Sequence, residues 1–176
     1  MKYSKKLSGE RVYLSPMHVD DAEIYARWLC DPAVTDGLGN TSKVMGAVGE
    51  RKWIENNQSD YQFAIVRKED DKLLGNCGIN EFDPIRRIAT VGLFIGDAEN
   101  RCKGYGAEAL RLIVKFCFDQ LNVVNVMLCV FDFNKQAIAC YEKVGFKKIG
   151  ERRKAYFVNG EYCNQVFMDI LKEELK

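Results

Sequence analysis

The stretch Arg101-Cys102-Lys103-Gly104-Tyr105-Gly106 lies between the apolar run Val91-Gly92-Leu93-Phe94-Ile95 and an amphipathic segment that begins at Ala107. A glycine-rich turn that leads from a strand into a helix start is a place to hold phosphate. The first N–H groups of a helix have no intrahelical acceptor, and the macrodipole adds partial positive charge there. An anion satisfies both. Gly104 and Gly106 have no Cβ, so they reach unusual dihedrals and let a pyrophosphate approach the main chain. Arg101 and Lys103 add full charge beside that cradle. A plain strand-to-helix connection uses the same glycines, so the rest of the chain has to decide between the two readings.

Downstream, Leu110, Ile113, Val114, Cys117 and Leu121 recur at helical spacing over Ala107–Leu121, and Val123–Phe131 is a continuous apolar run of the kind found in buried strands. A strand, helix, strand unit implies a locally parallel pair with a right-handed crossover. Asn134 is a good N-cap for a helix over Lys135–Val144, which Gly145 ends. Two closing strands, Lys154–Val158 and Tyr162–Leu171, flank the hairpin signal Asn159-Gly160. Upstream, Tyr61–Arg67, Lys72–Phe82 and Ala89–Gly96 read as an antiparallel meander. Arg11–Pro16 reads as a short strand and Asp20–Leu29 as a helix that Pro32 stops. Asp31–Ala47 reads as a mobile loop able to close over a substrate, and Gly49–Asn57 as a short helix. The expected fold is a single mixed α+β domain over residues 1–176, with no internal repeat or linker.

Composition removes whole classes of function. With 26 basic and 25 acidic residues in 176, and no long single-sign run, the chain carries no broad electrostatic footprint for nucleic acid or for a membrane surface. The seven cysteines are odd in number, scattered and mostly within apolar segments, as in reduced core positions of a cytoplasmic protein. His18 is the only histidine and no C-x-x-C pair exists, so no metal site is expected. Met1 to Glu10 has no apolar signal region.

Two motifs at the right separation resemble the GNAT superfamily of N-acetyltransferases. Arg101, Gly104 and Gly106 fill its R/Q-x-x-G-x-G/A pattern, and Asn134 through Phe146 is similar to its N-x-x-A-x-x-x-Y-x-K-x-G-F segment. The opening Leu7 to Leu14 and the segment ending at Trp53 resemble the branch that acetylates ribosomal-protein N-termini and spermidine. The resemblance implies a mostly antiparallel central sheet with a V-shaped split between two strands and flanking helices. Acetyl-CoA would lie in that split, its pyrophosphate on the N–H groups of Arg101, Cys102, Lys103, Gly104, Tyr105, Gly106 and Ala107. Asn134 would bind the pantetheine arm. The main chain at Phe94 and Ile95 would pair with the arm and polarise the thioester carbonyl. Dimers occur in this family, and the sequence leaves a homodimer open.

The chemistry asks for a neutral amine that attacks the thioester carbon and a proton donor for the departing thiolate. Tyr141 is the candidate donor, because a phenol with a reference pKa near 10 is protonated at neutral pH. Its competing reading is an aromatic on the buried face of the helix. Glu81, near the end of the strand Lys72–Phe82, is the candidate base, with bulk water as the alternative. Thr90 stands about where some polyamine-acetylating relatives carry a glutamate. Asp31, Asp36 and Glu50 would border the acceptor, His18 reads as a helix-cap residue, and Cys102 lacks a nearby base. The acceptor is thus a primary amine, a peptide or protein N-terminus ahead of a polyamine or aminoglycoside. A non-catalytic acyl-CoA sensor would keep the same cofactor site. Gly104 to Ala109 also satisfies G-x-G-x-x-G/A, with Asp132 at the end of the next strand, as in dinucleotide-binding oxidoreductases. The polar stretch Asp97–Lys103 and the preceding meander speak against that reading.

Overall fold

A computed structural model of the chain describes residues 2–57 and 61–176. Eight strands form one sheet: β1 (Leu7–Ser8), β2 (Val12–Pro16), β3 (Gln62–Arg67), β4 (Leu73–Asp83), β5 (Ile88–Ile95), β6 (Asn125–Phe131), β7 (Lys147–Val158) and β8 (Glu161–Leu171). Their order is β1-β2-β3-β4-β5-β6-β8-β7, and every pairing is antiparallel except β5 with β6. Five helices flank it: α1 (Ala22–Trp28), α2 (Pro32–Leu38), α3 (Ala47–Asn56), α4 (Tyr105–Gln120) and α5 (Lys135–Val144).

Alternation along the strands sorts the core into two layers. Val12, Leu14, Phe63 and Ile65 meet the apolar stripe of α4, chiefly Leu110, Ile113, Val114 and Cys117. Tyr13, Ala64 and Val66, one residue out of phase, meet Tyr25 and Trp28 of α1, Val34 of α2 and Ile54 of α3. Each large apolar side chain withdrawn in this way contributes roughly 1.5–3 kcal/mol. Because both faces are covered, a one-residue slip of β2 or β3 would exchange the contents of the two layers, which fixes their register.

Three expectations need correction. The segment Asp31–Ala47 is not a plain loop, for Pro32 opens α2 instead of merely stopping α1. Proline suits the first helical turn, where its missing N–H has no partner to lose, and the Asp31 carboxylate caps that turn by accepting from the Ala33 N–H at 2.9 Å. Gly39, at φ +67°, ends the helix. The β7 strand begins at Lys147, seven residues before the expected Lys154, and carries two register shifts. Its charged run hides strand alternation because β7 is the sheet's edge, where charged residues guard against further pairing. The helix expected from Asp20 starts as a 3-10 turn over Val19–Asp21, with the Asp21 carboxylate buried and bonded by Lys2 at 2.5 Å and by the Tyr3 hydroxyl. His18 does cap that turn, its Nδ1 accepting from the Asp20 N–H at 3.2 Å. Among the described residues no helix is long and apolar enough to cross a membrane.

Candidate active site

The parallel pair β5 and β6 is joined only where Ile88, Ala89 and Thr90 face Asn125, Val126 and Met127. Beyond Thr90 the two strands part. A bulge on the other side of β5, where the β4 register shifts between Ile79 and Glu81, adds the local twist that carries β5 away from β6. The divergence opens a cleft of about 680 Å³ outside the carboxyl ends of two parallel strands, where ligands of open sheets bind. α2 forms one wall through Ala33, Val34, Gly37 and Leu38, and α5 lines the other through Asn134, Ala137 and Tyr141.

The segment 101–107 crosses the mouth of this cleft. Cys102 and Gly104 both take positive φ, +58° and +86°. α4 starts at once, and its Glu108 N–H is bonded to the Gly104 carbonyl at 3.1 Å. The N–H groups of Tyr105, Gly106 and Ala107 therefore have no intrahelical acceptor and stand at the positive end of a sixteen-residue helix. A Cβ on Gly106 would come to 3.3 Å from Leu93 Cδ1, so glycine there lets the helix start sit close on β5.

Of the catalytic and cofactor-binding residues named from sequence, Lys103 alone does not line the cleft; Phe94, Ile95, Arg101, Cys102, Gly104, Tyr105, Gly106, Ala107, Asn134, Tyr141 and Glu81 all do. Arg101 is not a free cation. Its guanidinium donates to the carbonyls of Ile95 at 3.1 Å, Gly96 at 2.5 Å and Ala33 at 3.2 Å, tying the turn to β5 and α2. Phe94 and Ile95 differ as well. Gly96 donates its N–H to the Leu74 carbonyl on β4, and Phe94 faces Asn76 in the same ladder. By alternation the main chain of Phe94 serves β4, whereas that of Ile95 and Leu93 faces the unpaired cleft edge. The Phe94 ring packs edge-on against Tyr25 and Trp28 in the other layer.

Asn134 caps α5 with its Oδ1, which accepts from the Ala137 N–H at 3.1 Å, so its Nδ2 stays available as a donor. Tyr141 lines the cleft and also packs against the core, with Phe146 at 6.2 Å between ring centroids. Burial raises its phenol pKa well above the usual value, and the neighbouring Cys140 adds to the rise. The hydroxyl is thus protonated throughout the neutral range. Glu81 stands near Cys129 of β6, whose thiol pKa is pushed up by burial and then by that carboxylate, while Arg152 opposes the rise.

Several cleft residues escaped the sequence reading. Asn80 is the bulged residue of β4, Gln165 of β8 faces Phe131 of β6, and Val34 and Leu38 come from α2. No local motif marks them, although the Asp31-Pro32 pair and Gly39 could have revealed α2. The expected borderers do other work: Asp31 caps α2, Asp36 accepts from Thr41 and Asn159, and Glu50 is buried.

A sheet with a single parallel pair does not provide the repeated βαβ halves of a dinucleotide-binding fold, which removes the oxidoreductase reading. The sequence model of the acetyltransferase (GNAT) domain family matches residues 11–147, a span that holds the split strands, the glycine turn and Tyr141. The chain belongs to the GNAT acetyltransferase family. It is 26% identical to the prophage-derived uncharacterized N-acetyltransferase YokL of Bacillus subtilis over 170 residues, 96% of this chain and 94% of that protein. It is 30% identical to the spermidine N(1)-acetyltransferase of Escherichia coli K12 over 118 residues, 67% of this chain and 62% of that one. In fold it is similar to the spermidine N-acetyltransferase of Vibrio cholerae, crystallised with CoA and spermine, with a TM-score of 0.85 at 19% identity over 94% and 98% of the two chains. This GNAT chain is accordingly an N-acetyltransferase.

Proposed function

We propose that residues 1–176 form one acetyltransferase domain that moves the acetyl group of acetyl-CoA to a primary amine, a peptide or protein N-terminus for preference, by direct attack in a ternary complex. The supporting observation is the make-up of the cleft: unpaired helix N–H groups at one end, a neutral tyrosine in its wall, and Glu81 as its one carboxylate among the described residues. The N–H groups of the turn and helix start from Cys102 to Ala107 hold the pyrophosphate, that of Arg101 being bonded already to the Ala98 carbonyl, the Asn134 amide holds the pantetheine arm, and the Ile95 N–H faces the thioester carbonyl. A fixed donor aimed at a developing oxyanion is worth roughly 3 kcal/mol.

The amine lone pair attacks the thioester carbon, the C–S bond breaks, and the acetyl group leaves the sulfur. Tyr141 donates a hydrogen bond to the departing thiolate. Its raised pKa makes it a durable donor that stabilises negative sulfur without first losing its own proton. Glu81, directly or through water, takes the proton released by the attacking amine.

A polycationic acceptor needs several carboxylates along its length, and this cleft offers one beside the cations Arg101 and Lys143. That balance favours an acceptor with a single amine. The likeness to spermidine acetyltransferases keeps polyamines as the second reading, with aminoglycosides behind them. Thiol release from acetyl-CoA, measured with short peptides bearing free N-termini, with spermidine and spermine, and with aminoglycosides, tests the assignment. Release with peptides and little with polyamines is expected. Faster release with spermidine would move the assignment to the second reading, and bound acetyl-CoA without release for any amine would favour a sensor.

A further inference from the structure

Outside the cleft, on the far side of the glycine turn, Arg11 of the segment leading into β2 lies across the start of α4. Its Nη1 donates to the Lys103 carbonyl at 3.0 Å, its Nε is 3.4 Å from Glu108 Oε2, and its guanidinium stacks over the Tyr105 ring at 5.0 Å. The Glu108 carboxylate in turn accepts from the main-chain N–H groups of Arg11 at 2.8 Å and Val12 at 3.2 Å. A Cβ on Gly104 would come to 2.8 Å from Arg11 Nη2, so the guanidinium lies directly against the turn. Arg67 of β3, paired with Asp70, lies within electrostatic reach of the Tyr105 side chain.

We infer that Arg11 is a positioning residue for the phosphate turn, a latch that holds its carbonyl side outward so that its N–H side faces the cofactor. The inference rests on the acetyl-CoA reading above. Three facts carry it. A carbonyl of a tight turn that pointed into the cleft would set a lone pair against a phosphate oxygen, and Arg11 engages the Lys103 carbonyl on the outside. Glu108 sits in the first turn of α4, where its charge would compete with a pyrophosphate for the same helix end, and Arg11 pairs with that charge. Cys102 holds φ +58°, a conformation that a residue with a Cβ keeps only when its surroundings impose it. Arg101, bonded to three carbonyls on the inner side, and Arg11 on the outer side bracket it. The two arginines therefore act through main-chain carbonyls and leave the donors of the turn for the ligand.

The test compares two acyl donors by calorimetry: acetyl-CoA, and S-acetylpantetheine, which has the thioester and the arm but no pyrophosphate. In Arg11→Met, affinity for acetyl-CoA should fall about tenfold, the size of one lost charge-assisted hydrogen bond, while affinity for S-acetylpantetheine stays at the wild-type value. Arg11→Lys, which still donates to a carbonyl but neither forks nor stacks, should recover part of the loss. Adding Cys102→Gly to Arg11→Met should recover more, because glycine needs no clamp at positive φ. Equal losses for both donors would mean a general structural role and overturn the latch. Unchanged acetyl-CoA affinity in Arg11→Met, beside a wild type that binds, would overturn it alone. A wild type that binds no acetyl-CoA would overturn the cofactor reading and the latch together.

Discussion

At the glycine turn the groups that meet a ligand belong to the main chain, whereas elsewhere in the cleft they are the side chains of Glu81, Asn80 and Gln165. The first end is fastened by arginines that bond main-chain carbonyls and leave the main-chain donors free. Arg101 bonds three carbonyls, and Arg11 bonds a fourth. The second end is assembled from β4, β6, β8 and α2, elements far apart in sequence. A site made of main-chain donors tolerates few residue types because the backbone path itself is the function. A site made of side chains can be rewritten residue by residue on the same path. The cofactor end is therefore expected to be rigid in its demands, and the acceptor end to set specificity.

The largest effect should come from the residue between the two ends. Tyr141→Phe removes one hydroxyl and little volume from a packed wall, so acetyl-CoA affinity should be unchanged while kcat falls about a hundredfold, the low end for losing a donor aimed at charge that develops in the transition state. Stopped-flow thiol release and calorimetry separate the two quantities. Undiminished turnover would return Tyr141 to a purely packing role beside Phe146.

Gly104→Val attacks the main-chain end. The position combines φ +86° with a Cβ path 2.8 Å from Arg11 Nη2, so a β-branched residue must shift both the turn and the latch. Acetyl-CoA affinity should drop roughly thirtyfold, from backbone strain of about 2 kcal/mol. Binding as tight as wild type would show that the turn is not the phosphate cradle.

Glu81→Gln tests the side-chain end with a smaller change. If the carboxylate takes the amine proton, the rate at neutral pH should fall about tenfold and the pH–rate profile should change shape. A profile identical to wild type would assign that proton to water.

These unequal demands explain what was legible in the sequence. Gly104, Gly106, Asn134 and Gly145 stand where the backbone needs positive φ, close approach or a cap, and each is readable from its neighbours alone. The meander, the parallel pair and the Asn159-Gly160 hairpin follow from alternation and turn chemistry in the same way. α2 was hidden because a seven-residue helix shows too little periodicity, and its stability comes from Val34 packed in the second layer and from the Arg101 bond to Ala33. Asn80 and Gln165 were hidden because a bulge and a strand register bring them to the cleft, and neither is encoded within a few residues.

The smallest expected effect concerns Glu50 of α3, which the sequence placed beside the acceptor and the structure buries within electrostatic reach of Tyr25 of α1. Burial raises its carboxyl pKa above the ordinary value. The folded protein therefore holds a proton there at pH values where the unfolded chain has released it, and stability falls as pH rises through that window, from the ordinary carboxylate range upward. Above the ordinary carboxylate range the penalty is in force; below the unfolded pKa both states are protonated and it vanishes. Glu50→Gln, which keeps the shape and removes the charge, should raise Tm by about 2 °C at pH 7.5 and leave it unchanged near pH 4. An equal gain at both pH values would attribute the effect to packing. A loss at pH 7.5 would show that the ionised carboxylate helps hold α3 against α1. That outcome would make the helical layer behind the acceptor end as dependent on charge as the latch behind the phosphate turn.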